Sequence, residues 1–198
     1  MLWDKVSGLY DLFETVYNGK VYRGLGKRVA EEIRQNDIVL ECACGTGAIS
    51  KYIAPKCKQL IATDFSEGML KQASKKCRKY SNIEIRCADM THLKCRDNSF
   101  DKVVAGNVIH LLEEPYAAIK ELERVCKVGG KIIIPTYINA CNSTNKIAVR
   151  LLEFAGANFK RQFDMDSYKE FFKKAGYKNM DYYIVSGRMS CAIAIITK

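Results

Sequence analysis

Asp37-Ile38-Val39-Leu40-Glu41-Cys42-Ala43-Cys44-Gly45-Thr46-Gly47-Ala48-Ile49-Ser50-Lys51-Tyr52 is the stretch on which the reading of this chain turns. Residues 37–41 read as a short strand, Gly45 and Gly47 as a turn, and residues 48–52 as the opening of a helix. A glycine-rich turn between the first strand and the first helix lets a ligand approach the backbone and meet unpaired N–H groups. The dinucleotide form of this motif wants a third glycine three residues after the second, where this chain has Ser50. Asp64 follows Gly47 by 17 residues and ends the next apolar run, where a carboxylate can accept both hydrogen bonds of a ribose diol. Taken alone, Asp64 has as its lesser alternative a residue that merely helps start the helix behind Ser66.

Working outward, apolar runs at 38–40, 60–62, 83–87, 103–105 and 132–134 alternate with helical patterns. Alternation of strand and helix implies an α/β fold, a parallel sheet doubly wound with helices on both faces. Ser66 caps a helix carrying Met69, Leu70, Ala73, Cys77 and Tyr80 on one stripe. Pro115 opens a second helix, with Ala118, Ile119, Leu122 and Val125 at core spacing. Lys120, Arg124 and Lys127 lie toward its negative end, and it stops at Gly129-Gly130. A third helix starts at Asp164, stapled by Phe163 and Tyr168 and closed by Gly176. Ile83, Ile85 and Cys87 alternate with Glu84 and Arg86, which marks an edge strand, whereas the runs at 38–40, 103–105 and 132–134 are central. Two last strands, 182–185 and 191–196, are joined so tightly that only an antiparallel hairpin fits. Ligands of such open sheets sit beyond the carboxyl ends of the strands where strand order reverses.

The chain has 198 residues, 48% of them hydrophobic, which suits a single domain over 1–198 with a helical N-terminal segment at 1–34. Its charge-free stretches, 103–112 and 132–145, are far shorter than the roughly 18 to 20 apolar residues of a membrane span. Residues 1–5 lack a signal peptide's apolar core, so the expectation is a cytoplasmic protein without a membrane span. Nine cysteines in that setting read as reduced thiols. No two are spaced as Cys-x-x-Cys, and Cys42 and Cys44, one residue apart, would share a face of a strand without matching zinc-ribbon spacing, so no metal is expected. The net charge of +10 comes from 22 lysines and 10 arginines. Arginine is the usual reader of nucleic acid, so the surplus reads as solvated surface, and nucleic acid is not the expected partner.

In these ordered motifs, over roughly residues 36–198, the chain resembles the class I S-adenosylmethionine-dependent methyltransferases, above all the small branch related to the ubiquinone and menaquinone C-methyltransferases. The family's acidic residue and G-x-G-x-G turn read here as Glu41-Cys42-Ala43-Cys44-Gly45-Thr46-Gly47, with Ala43 in place of the first glycine. The resemblance implies a Rossmann-like seven-stranded sheet of order 3-2-1-4-5-7-6 with strand 7 antiparallel, and S-adenosylmethionine as cofactor, leaving as S-adenosylhomocysteine. It implies cofactor contacts at Glu41, Cys42, Ala43, Gly45, Thr46, Gly47, at the ribose residue Asp64, and at Phe65 and Met69 beside the adenine. It places Asp89 with Met90 at the adenine amino group, and Asn107 and Val108 along cofactor and acceptor. Tyr10, Tyr17 and Tyr22 would form a lid as in similar enzymes, with helix packing as the plain alternative.

Methyl transfer from a sulfonium disperses charge, so positioning and exclusion of water are the main requirements. A base is needed only where the acceptor must lose a proton, and His110, in the acceptor-lining segment, is the candidate catalytic residue. Its plain alternative is a hydrogen-bonded residue at the start of a loop. The segment 105–110 lacks Asn-Pro-Pro-Tyr and a cysteine, as known nucleic-acid base methylation would require, so a small-molecule acceptor is expected, covered by residues 138–162. A monomer or homodimer is expected. The competing readings are a nucleotide-dependent oxidoreductase, which does not predict Asp89 or the terminal hairpin, and an RNA-binding or RNA-modifying protein. The latter rests on Lys71, Lys75, Lys76, Arg78 and Lys79, which lack interleaved aromatics for base stacking.

Overall fold

The computed structural model describes residues 16–139 and 160–198. Seven strands form one sheet of order β3-β2-β1-β4-β5-β7-β6. They are β1 (Ile38–Cys42), β2 (Gln59–Asp64), β3 (Ile83–Cys87), β4 (Phe100–Ala105), β5 (Cys126–Tyr137), β6 (Asp181–Val185) and β7 (Cys191–Thr197). Strands β1 to β5 pair in parallel, and β7 runs antiparallel to both β5 and β6. Cys42 lies opposite Thr63 on one side and Ala105 on the other, so the carboxyl ends of β2, β1 and β4 finish level. The sheet order and the orientation of every strand are those implied by the resemblance, and β3 is the edge that its alternation predicted.

The helices α1 (Gly19–Glu31), α2 (Ser50–Ile53), α3 (Glu67–Cys77), α4 (Pro115–Val125) and α5 (Met165–Lys174) cover the sheet. Successive strand residues point to opposite faces, so the central strands feed two cores at once. Val39, Val104 and Ile133 join Leu25 and Val29 of α1 and Ile53 of α2 in one. Leu40, Val103, Ile132 and Ile134 join Ile119 and Leu122 of α4 and Phe171 and Phe172 of α5 in the other. At the start of α3 the Ser66 hydroxyl accepts the Met69 N–H at 3.2 Å. Asp164 and Ser167 form a reciprocal capping box on α5, and the rings of Phe163 and Tyr168 meet at 5.2 Å as the staple predicted. No helix among the described residues is long and apolar enough to cross a membrane.

Two sequence expectations need correction. Helix α4 ends at Val125, four residues before the glycines, because Cys126 turns extended and pairs with Phe100; Lys127 therefore stands at the start of β5. Cys42 and Cys44 do not share a face: β1 stops at Cys42, and Ala43 has a φ of 50°, which breaks the alternation. Cys42 enters the core under α4 and Cys44 the core under α1.

Candidate functional site

Where strand order reverses, between the carboxyl ends of β1 and β4, lies a cavity of about 240 Å³. The turn after β1 makes its floor. Ala43 and Gly45 both take positive φ, 50° and 55°, and a Cβ placed on Gly45 would meet nothing within 4 Å. The main chain is thus bared toward open space, at a steric cost that Ala43 bears as a non-glycine residue.

Asp64, at the end of β2, ties this turn to the next helix. One carboxylate oxygen accepts the Gly45 N–H and the other the Ser66 N–H, both at 2.9 Å. Both sequence readings of Asp64 therefore coexist: it holds the start of α3 and it lines the cavity. Glu41, buried at the end of β1, is the second carboxylate of the wall. Phe65, half-exposed, and the buried Met69 make an apolar flank, and Asn107, Val108 and Tyr22 close the side toward β4 and α1. Asn107 also has a positive φ, 53°, and its N–H donates to the Pro135 carbonyl at 2.8 Å.

Of the residues expected at the site, the cavity gathers Tyr22, Glu41, Ala43, Gly45, Asp64, Phe65, Met69, Asn107 and Val108. It does not gather Cys42, Thr46, Gly47, Asp89, Met90 or His110. Cys42 is fully buried, and burial pushes its thiol up to about 12. Thr46 accepts a hydrogen bond from the Lys76 ammonium at 2.8 Å. A Cβ on Gly47 would lie 3.1 Å from the Ala73 backbone, so this glycine serves the packing of the turn on α3. The Asp89 side chain is 64% exposed and accepts the N–H and hydroxyl of Thr91; the first of these bonds is the main reason its carboxyl sits below the usual range. Met90 is buried in the core under α4. Tyr10 lies outside the described residues.

His110 is 3% exposed, its Nδ1 shares a hydrogen bond with the Thr136 hydroxyl at 2.9 Å, and its ring stands edge-on to Tyr137. Burial pushes its pKa down to about 3, so the imidazole is neutral at any physiological pH. Cys44, Ala48, Ile49, Gly106, Leu111 and Leu112 complete the lining without having been anticipated. A signal existed for Gly106, a glycine closing a central strand; the leucines carry none that distinguishes them from core.

This lining fits S-adenosylmethionine. Among the described residues the wall has two buried carboxylates and no lysine or arginine, which suits a ligand carrying ammonium and sulfonium charge beside a diol. It suits a pyrophosphate poorly, since the helix after the turn, α2, is only four residues long and offers little dipole. Among the described residues no cluster of three or more His, Cys, Asp or Glu could hold a metal ion. Lys71 and Lys75 on α3 and Arg78 and Lys79 just after it are exposed.

Comparison with known proteins agrees with this geometry. Residues 40–134 match the family model of a methyltransferase domain. A demethylmenaquinone methyltransferase of Staphylococcus carnosus (strain TM300) is 26% identical over 211 residues, covering 94% of this chain and 87% of the relative. One from Clavibacter sepedonicus is 34% identical over 136 residues, covering 67% of this chain and 55% of the relative, so the chain spans little more than half of that protein's length. A SAM-dependent methyltransferase of Aquifex aeolicus superposes with a TM-score of 0.65 at 20% identity, over 86% of this chain and 89% of that one, a likeness of fold.

Proposed function

We propose that this chain, which belongs to the class I S-adenosylmethionine-dependent methyltransferases, transfers a methyl group to a small, partly apolar acceptor. The observation that carries the reading is the cavity between β1 and β4, where two carboxylates stand beside the apolar Ile49, Val108, Leu111 and Leu112. Demethylmenaquinone, which names the relatives, is the first acceptor to try. We read residues 1–198 as one methyltransferase domain.

Bound S-adenosylmethionine supplies an electrophilic methyl group on a sulfonium sulfur. The chain's part is to bind, orient and keep out water. Asp64 offers the carboxylate that a ribose diol needs, and Glu41 a buried negative charge for the amino group. Phe65 and Met69 give the adenine an apolar face, while the bared backbone at Gly45 admits the methionine part. Asn107 and Tyr22 supply polar atoms on the side of β4. His110, neutral and behind Tyr137, is assigned a packing role and not that of a base.

The test is a screen with methyl-labelled S-adenosylmethionine over quinols, phenols, thiols, amines and RNA. Label in an organic-extractable small molecule is the expected result; label in RNA alone would overturn the acceptor class.

A further inference from the structure

Three elements that are distant in sequence meet at the hydroxyl of one residue that lines the cavity. Tyr22, from α1, lines the cavity, and its hydroxyl is hydrogen-bonded to that of Tyr137, the last residue of β5. Asn107, just beyond β4, donates its side-chain N–H to the same Tyr22 oxygen at 3.3 Å. The amide of Asn107 is itself held from behind, since its carbonyl oxygen accepts from the Cys191 thiol at 3.8 Å. The rings of Tyr22 and Tyr137 stand edge-on with centroids 6.4 Å apart. Tyr137 is backed in turn by the His110 ring, edge-on at 5.8 Å. Tyr137 is not part of the lining, yet it is bonded to a residue that is.

The consequence follows from how a phenol moves. A tyrosine hydroxyl flips between two in-plane orientations about its C–O bond, and the ring, with the oxygen at its tip, swings about its two side-chain torsions unless partners hold that oxygen. With Asn107 donating to it and the Tyr137 hydroxyl hydrogen-bonded to it, the Tyr22 oxygen is restrained from two sides. Among the described residues that line the cavity, strongly polar side chains belong to Tyr22, Glu41, Asp64 and Asn107. An apolar wall gives a ligand no direction, so the fixed hydroxyl is a disproportionate share of the polar guidance there.

We propose that Tyr137 is a positioning residue for the bound cofactor: through its hydroxyl it fixes that of Tyr22 against the cavity. This rests on the reading of the cavity as the cofactor site. The Tyr137 ring packs against His110 and Tyr22 whether or not its hydroxyl is present, so Tyr137→Phe removes the hydroxyl while keeping the packing.

The experiment is calorimetric titration of S-adenosylhomocysteine into the wild-type chain, Tyr137→Phe, Tyr22→Phe and the double variant, each with a thermal melt. Loss of one hydrogen bond should raise Kd about three- to tenfold in each single variant. Because Tyr137 acts through Tyr22, the double variant should bind no worse than Tyr22→Phe within a factor of two. A lower Tm for Tyr137→Phe with Kd within twofold of wild type would overturn the proposal and leave Tyr137 a purely structural residue. Additive losses in the double variant would overturn it too. Absence of binding by the wild-type chain would overturn the assignment of the cavity, and this proposal with it.

Discussion

Lowering the pH from 7 to 5 should destabilise the folded chain by about 2 kcal/mol through His110 alone. The imidazole is buried, and burial holds its pKa at about 3, against 6.5 for an exposed imidazole. Between those values the unfolded chain binds a proton that the folded chain refuses, so stability falls as pH falls. At about 1.36 kcal/mol per unit the whole shift corresponds to about 5 kcal/mol, fully lost only below pH 3. The part lost by pH 5 is about 2 kcal/mol, which in urea moves the midpoint by roughly 0.7 to 2 M. Carboxylates whose pKa values folding lowers, such as Asp89 and Asp101, lose their contribution mainly below pH 5, so the window isolates the histidine. The assay is urea unfolding at both pH values for wild type and His110→Asn. The variant costs about 1 to 3 kcal/mol at pH 7 for lost packing, and it should lack the 2 kcal/mol fall between pH 7 and 5. Equal falls in the two proteins would refute the burial argument, and with it the neutral, packing role of His110.

Asp64→Ala should weaken cofactor binding by about 1.5 to 3 kcal/mol per lost charge-assisted hydrogen bond, measured by calorimetry; an unchanged affinity would place the ribose elsewhere. Gly47→Ala should cost about 1 to 3 kcal/mol of folding stability, since φ is 79° and the new Cβ would sit 3.1 Å from the Ala73 backbone. A melt unchanged from wild type would contradict that packing. Turnover, once an acceptor is identified, should persist in chelator; full loss restored by magnesium would show a metal requirement.

The fold was legible in the sequence because each feature has a strong local cause. The five apolar runs fix the parallel strands, the tight link before Cys191 fixes the hairpin, and Ser66 and Asp164 cap the helices they were expected to cap. The end of α4 was misplaced, because a glycine pair at 129–130 signals a turn without saying whether helix or strand precedes it, and α3 stops at Cys77, short of Tyr80, which was expected on its stripe. The site was legible in part. Positions on the turn after β1 and at the end of β2 follow from chain order, but side-chain direction does not. Ala43 at positive φ redirects the chain so that Cys42 and Cys44 part, and Gly47 faces α3 while Gly45 faces the cavity. His110 follows β4 closely enough to be aimed at the crevice, and only tertiary packing shows it turned toward Thr136 and Tyr137.

Everything proposed for this chain depends on S-adenosylmethionine binding in the cavity between β1 and β4. Calorimetric titration of the purified chain with S-adenosylmethionine, S-adenosylhomocysteine and NAD tests it most directly. Both adenosyl ligands should bind saturably at one site per chain, with binding abolished or weakened by Asp64→Ala, and NAD should not bind. No heat at millimolar S-adenosylmethionine, or binding of NAD in its place, would contradict it.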